Sequence, residues 1–207
     1  MNKLELLDIT FKYEDEKVLD KFSLSVKDKE FITLFGKSGI GKSTILKIIA
    51  GLEFPDEGKV LLDGEDITFT SVNKRNITMA LQDSYLFPHM SVEKNIGFGM
   101  KIRNFKKTEI KKRVNELLQE VELDGFNNKK PKELSGGEKK RVSLCRAVSF
   151  NPKILLLDEP FAGLDHELRV KSCAILKRLH VNNNMTTILV THDRDDAENL
   201  SDRIIKL

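Results

Sequence analysis

A glycine-rich segment in the first quarter of the chain has the composition and spacing of a phosphate-binding loop. It fits the pattern GxxxxGK[S/T] with eight consecutive residues: Gly36, Lys37, Ser38, Gly39, Ile40, Gly41, Lys42 and Ser43. Glycines let successive backbone N–H groups turn towards phosphate oxygens, and the start of a helix adds about half a positive charge. Lys42 can then reach the terminal phosphates, and the Ser43 hydroxyl can bind Mg²⁺. This phosphate loop predicts a nucleoside triphosphate as the ligand.

Two acidic residues, Asp158 and Glu159, follow the apolar run 154–157. Open parallel sheets bind their ligands beyond the carboxyl ends of the strands, so the pair is expected to face the phosphates. Asp158 is predicted to belong to the Mg²⁺ shell, and Glu159 to polarise the water that attacks in an in-line phosphoryl transfer. An Asp-Glu pair at a strand end is common by itself. The phosphate loop upstream gives it this interpretation.

A third segment, Leu-Ser-Gly-Gly-Glu at residues 134–138, opens a helical stretch. Ser135 and Glu138 have the spacing of a capping box, in which each side chain accepts a backbone N–H of the other residue. Gly136 and Gly137 each cost about 1 kcal/mol relative to alanine in a helix. Their presence indicates that something approaches the backbone closely, and an anion is the natural candidate.

Four runs that are apolar on both faces predict the layer that holds these residues. They are residues 31–35, 77–81, 154–157 and 186–191. Strands of this kind are covered by helices on each side, and their long connections suit crossovers, which together favour a parallel sheet in an α/β layer.

The rest of the chain predicts two additions to that layer. Alternating apolar residues in the stretch 4–26 are typical of half-buried antiparallel strands. Apolar side chains spaced at i, i+3, i+4 and i+7 from Val114, with Thr108 as the N-cap, predict a helical lobe. The predicted fold is an α/β P-loop NTPase core with a parallel sheet, an N-terminal antiparallel β subdomain and an inserted α-helical subdomain. The chain, 1–207, is predicted to be one domain, with its nucleotide-binding core in 1–82 and 150–207 and the insertion in 83–149.

Composition excludes several classes of protein. The 207 residues include 35 Lys and Arg against 32 Asp and Glu, and 40% are hydrophobic, which is globular and gives too small a positive excess to indicate nucleic-acid binding. Acidic residues at Glu5 and Asp8 predict no secretory leader, and apolar runs such as 48–52 are far below the roughly 18 residues that span a bilayer. Cys145 and Cys173 are expected to be reduced packing residues in a cytosolic protein.

The motifs, in this order and over nearly the whole chain, resemble those of the ATP-binding subunits of ATP-binding cassette (ABC) transporters. The phosphate loop resembles Walker A, residues 134–138 resemble the signature motif, and residues 154–158 resemble Walker B, with Glu159 as the catalytic carboxylate. Residues 162–165 resemble the D-loop.

The resemblance implies a role for each matched residue. The catalytic residues it implies are Glu159, His192 as the switch histidine, Lys42 and Gln82 as the Q-loop glutamine. Contacts with ATP are implied for Tyr13, which is placed like the adenine-stacking aromatic, and for Gly36, Lys37, Ser38, Gly39, Ile40, Gly41, Lys42, Ser43, Thr44, Ser135, Gly136, Gly137, Glu138 and Asp165. Ligands of Mg²⁺ are implied to be Ser43, Gln82 and Asp158.

The resemblance also implies partners. Two copies of the chain would meet head to tail, with each ATP held between the Walker A loop of one copy and the signature motif of the other. Residues 82–96, read alone, predict a turn at Pro88 followed by an amphipathic helix. They resemble the segment of bacterial importer ATPases that helps to receive a coupling helix of the permease. We therefore expect an importer ATPase held by permease subunits at the cytoplasmic face of the membrane. An extracytoplasmic substrate-binding protein would not touch it, and no nucleic acid is expected.

The chain departs from the family pattern in places. Glu138 stands where the signature motif usually ends in glutamine, and Lys37 where proline is frequent. After Leu207 the family usually adds a strand and often a regulatory domain, so we expect no regulation by such a domain, and a monomer without ATP.

Two other functions remain open. A soluble mechanical cassette ATPase usually carries a second cassette, coiled coils or zinc modules. A P-loop kinase or GTPase would leave residues 135–138 and His192 unexplained, and the sequence has no NKxD motif.

Overall fold

The computed structural model describes residues 2–14, 16–81 and 85–207 of the chain. In chain order its elements are β1 (Asn2–Tyr13), β2 (Glu16–Lys27), β3 (Phe31–Phe35), α1 (Lys42–Ala50), β4 (Glu57–Leu62), β5 (Glu65–Asp66), β6 (Ile77–Ala80), α2 (Val92–Ile96), α3 (Phe98–Ile102), α4 (Lys107–Glu120), α5 (Gly136–Val148), β7 (Ile154–Asp158), α6 (His166–Asn182), β8 (Thr186–Thr191), α7 (Arg194–Leu200) and β9 (Arg203–Lys206). Short 3₁₀ turns lie at Val72–Lys74 and Pro131–Glu133.

The alternating N-terminal residues form an antiparallel sheet, as predicted. Its strand order is β2-β1-β4-β5, and β1 pairs antiparallel with both β2 and β4. Leu4 lies opposite Val26 on one side and Leu62 on the other. All three side chains are buried, so the apolar face of this sheet contributes to the core.

The four doubly apolar runs lie in one five-stranded sheet together with β9, in agreement with the predicted parallel layer. The order is β6-β7-β8-β3-β9, and the β7–β8, β8–β3 and β3–β9 pairs are parallel. Every residue of β8 is buried, as are all but the last residues of β3 and β7. These three strands therefore end side by side, and their carboxyl ends carry the residues that the sequence singles out.

The helices confirm one predicted cap and correct another. Helix α5 begins after Ser135 with the predicted capping box. Helix α4 begins at Lys107, so its N-cap is Lys106 and not Thr108. The prediction was wrong because Glu109, at the third helical position, accepts the backbone N–H of Lys106 at 2.8 Å, which stabilises a start two residues earlier.

Contacts group the chain into two units. The first comprises Met1–Met79, Lys153–Asp158 and Asn184–Leu207, and the second comprises Ala80–Pro152 and Glu159–Asn183. The first contains the antiparallel sheet and most of the parallel sheet, with α1 and α7. The second contains helices α2 to α6.

The domain boundaries drawn from the sequence stay a prediction. The predicted insertion ended at residue 149, whereas the second unit also takes in α6.

Both cysteines are buried, and burial raises the pKa of the Cys145 thiol, in agreement with the expected packing role. Within the described residues, every helix is too short or too polar to cross a bilayer.

Candidate active site

The phosphate loop connects β3 to α1, as its flanking runs predict. Lys42, the first residue of α1, is 5% exposed, and its Nζ donates hydrogen bonds to the carbonyl oxygens of Gly36 and Lys37, both at 2.8 Å. The ammonium group therefore joins the helix start to the first two residues of the loop. The carbonyl oxygens are neutral acceptors, which oxygens of a bound phosphate could replace with stronger, charge-assisted bonds.

Two glycines of the loop are required by the backbone. Gly39 has φ +86° and Gly41 has φ +98°, a left-handed backbone conformation that residues other than glycine rarely adopt. A Cβ at Gly41 would also lie 3.0 Å from Val18 Cγ1 and 3.1 Å from Leu19 Cδ2 of β2. The glycine pattern read from the sequence thus has a conformational reason at position 39, and both a conformational and a packing reason at position 41.

Ser43 and Asp158, which are 115 residues apart in sequence, are brought together. The Ser43 hydroxyl donates to Oδ1 of Asp158 at 3.0 Å. This contact follows from the order of the strands. Helix α1 comes directly after β3, and strand β7, which ends at Asp158, is separated from β3 by β8 alone. A hydroxyl and a carboxylate oxygen are the hard ligands that Mg²⁺ prefers, and Mg²⁺ usually takes one or two carboxylates together with substrate phosphates. The donor set therefore fits Mg²⁺. The third predicted ligand, Gln82, lies outside the described residues.

His192 lies next to the start of the phosphate loop. It follows β8, whose last residue, Thr191, is in register with Phe35 of β3. A surface cleft is lined by His192 together with Phe35, Gly36, Lys37, Lys206 and Leu207.

Glu159 directly follows Asp158 and begins a turn. Its φ is +47°, and its carbonyl oxygen accepts the N–H of Ala162 at 3.2 Å. A left-handed residue other than glycine at the end of a buried strand is uncommon and is found often at functional sites. The side chain of Asp165, farther along this segment, accepts the backbone N–H of Leu168 at 2.9 Å and so caps α6.

Tyr13 ends β1 with a partly exposed ring. The ring of Phe11 meets it edge-on, with centroids 4.8 Å apart, and Nζ of Lys47 on α1 lies 5.9 Å from its centroid. The Tyr13 side chain is 40% exposed, so part of the ring is open to a stacking partner. This arrangement suits the predicted contact with adenine.

The predicted capping box at the start of α5 is formed. The Ser135 N–H donates to Oε2 of Glu138 at 2.7 Å, and the Glu138 N–H donates to Oγ of Ser135 at 3.3 Å. The bond from the Ser135 backbone holds the pKa of the Glu138 carboxyl below its usual range. The charge of Glu138 therefore persists at neutral pH at this helix start.

Packing among the described residues does not require Gly136 and Gly137. Neither has a positive φ. In the part of the chain that the structure describes, a Cβ at Gly136 would meet nothing within 4 Å, and one at Gly137 would make only ordinary contact with Leu168, at 3.9 Å. Alanine would fit at both positions and would favour the helix.

Sequence reasoning missed the residue that holds the turn at Pro88. Asn95 of α2 is fully buried, and its Oδ1 accepts the Phe87 N–H at 2.8 Å. Its Nδ2 donates to the carbonyl oxygens of Phe87, Met90 and Ser91 at 3.0 to 3.3 Å. An asparagine on the apolar side of a short helix was the available signal. We call residues 85–91 the docking segment, after the contact with a permease that the resemblance leads us to expect there.

In this site a glycine loop joins a strand to a helix that begins with a buried lysine, and a serine meets an aspartate at the carboxyl ends of parallel strands. These features define a P-loop nucleotide-binding protein. Residues 19–162 match the ABC transporter family. The chain also superimposes on a solved cassette, described as a dimeric post-hydrolysis state of the ATP-binding cassette MJ0796 bound to ADP and Pi. The TM-score is 0.85, the identity is 33%, and the match covers 99% of this chain and 94% of that one. This chain belongs to the ABC transporter family.

Several curated relatives are named as import ATP-binding proteins. The spermidine/putrescine import protein PotA of Hahella chejuensis is 45% identical over 98% of this chain and 55% of its own length. The Fe(3+) ions import protein FbpC of Escherichia coli O157:H7 is 41% identical over 99% of this chain and 59% of its own length. The sulfate/thiosulfate import protein CysA of Caulobacter vibrioides is 47% identical over 90% of this chain and 56% of its own length. The chain thus spans little more than half the length of these relatives.

Proposed function

We propose that this chain is the ATP-binding and ATP-hydrolysing part of a membrane importer, in which hydrolysis in a head-to-tail dimer drives a conformational change of the permease. The names of the relatives support import, and the solved cassette with ADP and Pi supports a dimeric ATPase. The same names favour an importer over a soluble mechanical cassette ATPase and over a P-loop kinase or GTPase.

The observation that carries the proposal is the open pair of glycines at the start of α5. Gly136 and Gly137 lower the helix propensity, and neither their backbone conformation nor their packing against residues 2–14, 16–81 and 85–207 accounts for them. A ligand that approaches the backbone N–H groups from outside would account for both. A phosphate held on the loop of a second copy has the charge that a helix start attracts.

The first unit supplies the groups that would hold ATP. Lys42 would exchange its two carbonyl partners for oxygens of the terminal phosphates, and Tyr13 would stack on adenine. Ser43, Asp158 and Gln82 are the proposed ligands of Mg²⁺, which when bound would neutralise charge on the phosphates.

The remaining roles concern the hydrolysis itself and the second copy. Glu159 would accept a proton from the attacking water, and His192 would contact the terminal phosphate. Ser135, Gly136, Gly137 and Glu138, together with Asp165, would approach the nucleotide from the second copy.

The proposed partners follow from the importer function. Permease subunits would contact residues 82–96 and hold the chain at the cytoplasmic face of the membrane. An extracytoplasmic substrate-binding protein would complete the system without touching this chain, and nucleic acid has no part in it.

The test of the proposal is the variant Glu159→Gln, which keeps the shape of the side chain and removes its basicity. With MgATP the variant should bind nucleotide, stop hydrolysing it and elute at twice the monomer mass in size-exclusion chromatography with light scattering. Glu65→Gln, an exposed change on β5, is the control and should turn over normally. A Glu159→Gln protein that stays monomeric in saturating MgATP and hydrolyses at the wild-type rate would falsify the proposal.

A further inference from the structure

Arg146 links helix α5 to the docking segment. Its Nη1 donates a hydrogen bond to the carbonyl oxygen of Tyr85 at 2.9 Å. Its guanidinium also lies 5.5 Å from the centre of the Phe87 ring, within range of a cation–π interaction. Burial lowers the pKa of Arg146, but an arginine remains charged throughout the physiological range. The contact is therefore charged and directional.

The docking segment has a second connection to the same helix. Asn95 holds the segment by four hydrogen bonds to its backbone. Asn95 lies on α2, and α2 packs on α5. Both ends of the segment are thus attached to α5, the N-terminal end directly by Arg146 and the C-terminal end through α2.

The segment itself is in a conformation that needs such support. Tyr85 has φ +35°, a left-handed value that costs a tyrosine free energy. The residue is 65% exposed. The hydrogen bond from Arg146 to the carbonyl oxygen of this residue helps to hold it there.

We propose that Arg146 is the positioning residue that transmits ATP-driven movement of α5 to the docking segment. Residues 136 and 146 are ten apart on one continuous helix, about 15 Å along its axis. A helix of this length moves as one body, so a shift of its start towards nucleotide on a second copy carries Arg146 and the carbonyl of Tyr85 with it. This inference rests on the dimer proposed above.

Fluorescence can test the inference, since the chain contains no tryptophan. Tyr85→Trp places a single tryptophan in the docking segment and keeps the backbone carbonyl that Arg146 binds. In the Glu159→Gln background, MgATP should form the dimer and change the emission of Trp at this position. Adding Arg146→Met should leave the dimer intact and reduce the emission change by about threefold or more.

Two further variants separate a coupling role from general stability. Arg146→Lys keeps the charge and loses the planar face, so it should restore part of the response. Arg178→Met removes an arginine of α6 that donates to the carbonyl oxygen of Glu120, a comparable bond elsewhere in the second unit, and should leave the response unchanged. If Arg146→Met does not fold, the emission changes of Arg146→Lys and Arg178→Met are compared instead. The inference then expects a smaller emission change in Arg146→Lys than in Arg178→Met.

The outcomes distinguish the inference from the proposed function. Failure of the Glu159→Gln protein to dimerise with MgATP overturns both. A dimer in which the emission does not change, or changes equally with and without Arg146, overturns the inference and leaves the proposed function standing.

Discussion

Lys42 illustrates how a residue is prepared for a ligand. Its ammonium is buried and bonded to two carbonyl oxygens of the phosphate loop. A buried ammonium needs partners, because leaving a charged donor unsatisfied costs more than a typical hydrogen bond contributes. The loop supplies neutral partners, and a phosphate would supply charged ones. The exchange therefore favours the bound state.

Glu138 gives a prediction at the same scale. Glutamine at this position, the usual residue of the family, keeps an acceptor for the Ser135 N–H and removes a negative charge. If α5 faces the phosphates of a second copy, Glu138→Gln should tighten ATP-dependent dimerisation at pH 7 by about threefold, since a like charge is removed. The measurement is the ATP concentration that gives half-maximal dimer in the Glu159→Gln background. Weaker dimerisation would contradict the orientation of α5.

The effect of pH on Glu138 has a definite sign. Its pKa is lower in the folded chain than its ordinary value of 4.5, chiefly because the Ser135 N–H binds the carboxylate. The charged cap therefore stabilises the fold fully above that value and is lost as the pH falls through the lowered pKa. Glu138→Gln should consequently lower the free energy of unfolding slightly between pH 6 and 8, where the wild-type cap is charged, and make it less dependent on pH below about pH 4.5, as urea denaturation across this range would measure.

At the scale of elements, two glycines at helix ends form a matched pair, Gly137 in the first turn of α5 and Gly97 between α2 and α3. A Cβ at Gly137 finds room, whereas a Cβ at Gly97 would lie 2.6 Å from Ile110 Cγ2. Gly137→Ala should raise the free energy of unfolding by up to about 1 kcal/mol and weaken the ATP-dependent dimer. Gly97→Ala should lower the free energy of unfolding by about 1–3 kcal/mol and keep the dimer. Urea denaturation and size-exclusion chromatography measure the two effects. A Gly137→Ala protein that dimerises normally would show that the backbone is not approached.

The carboxyl end of α1 depends on Arg75. This side chain is 1% exposed, and its guanidinium donates to the carbonyl oxygens of Ile48, Ile49, Thr68 and Thr70 at 2.7 to 2.9 Å. Two of these belong to the last turn of α1, where carbonyl groups lack partners within the helix. Arg75 therefore caps the helix that carries the phosphate loop.

Replacement of Arg75 tests this cap. Arg75→Met leaves four carbonyl oxygens without the donor and should lower the free energy of unfolding by about 3–5 kcal/mol. Arg194→Met is the control, since it removes an exposed i,i+4 pair with Glu198 on α7 and should cost about 1 kcal/mol or less. Urea denaturation compares them, and equal losses would contradict the role of Arg75.

At the scale of the whole molecule, the proposed site is divided between two copies. Lys42→Ala damages the phosphate loop and Ser135→Arg blocks the start of α5, so each protein alone should be inactive. Mixed in equal amounts, they should recover about a quarter of the wild-type ATPase rate, because random pairing makes half the dimers mixed and each mixed dimer has one intact site of two. Absence of recovery from two folded proteins would argue against the shared site.

The sequence by itself determined the parts of the protein whose hydrogen bonds are local. The capping box of α5 and the left-handed glycines at 39 and 41 depend on local backbone conformation, so their spacing alone predicts them. The packing of Gly41 against β2 was not visible in that spacing. The buried strands could be read for a similar reason, since residues apolar on both faces have few alternatives. The start of α4 was predicted wrongly because Thr108 suits an N-cap, whereas Glu109 suits the third position of a helix that begins two residues earlier. Spacing alone does not decide between these two starts.

Only the tertiary structure decided which distant groups meet. Arg75 reaches α1, and Arg146 reaches Tyr85, across about 27 and 61 residues of chain. Buried polar groups must find partners, but any of several nearby elements can supply them, so the sequence states the need without the partner. The packing of strands and helices settles that choice, because it alone fixes which backbone carbonyl or carboxylate lies within reach.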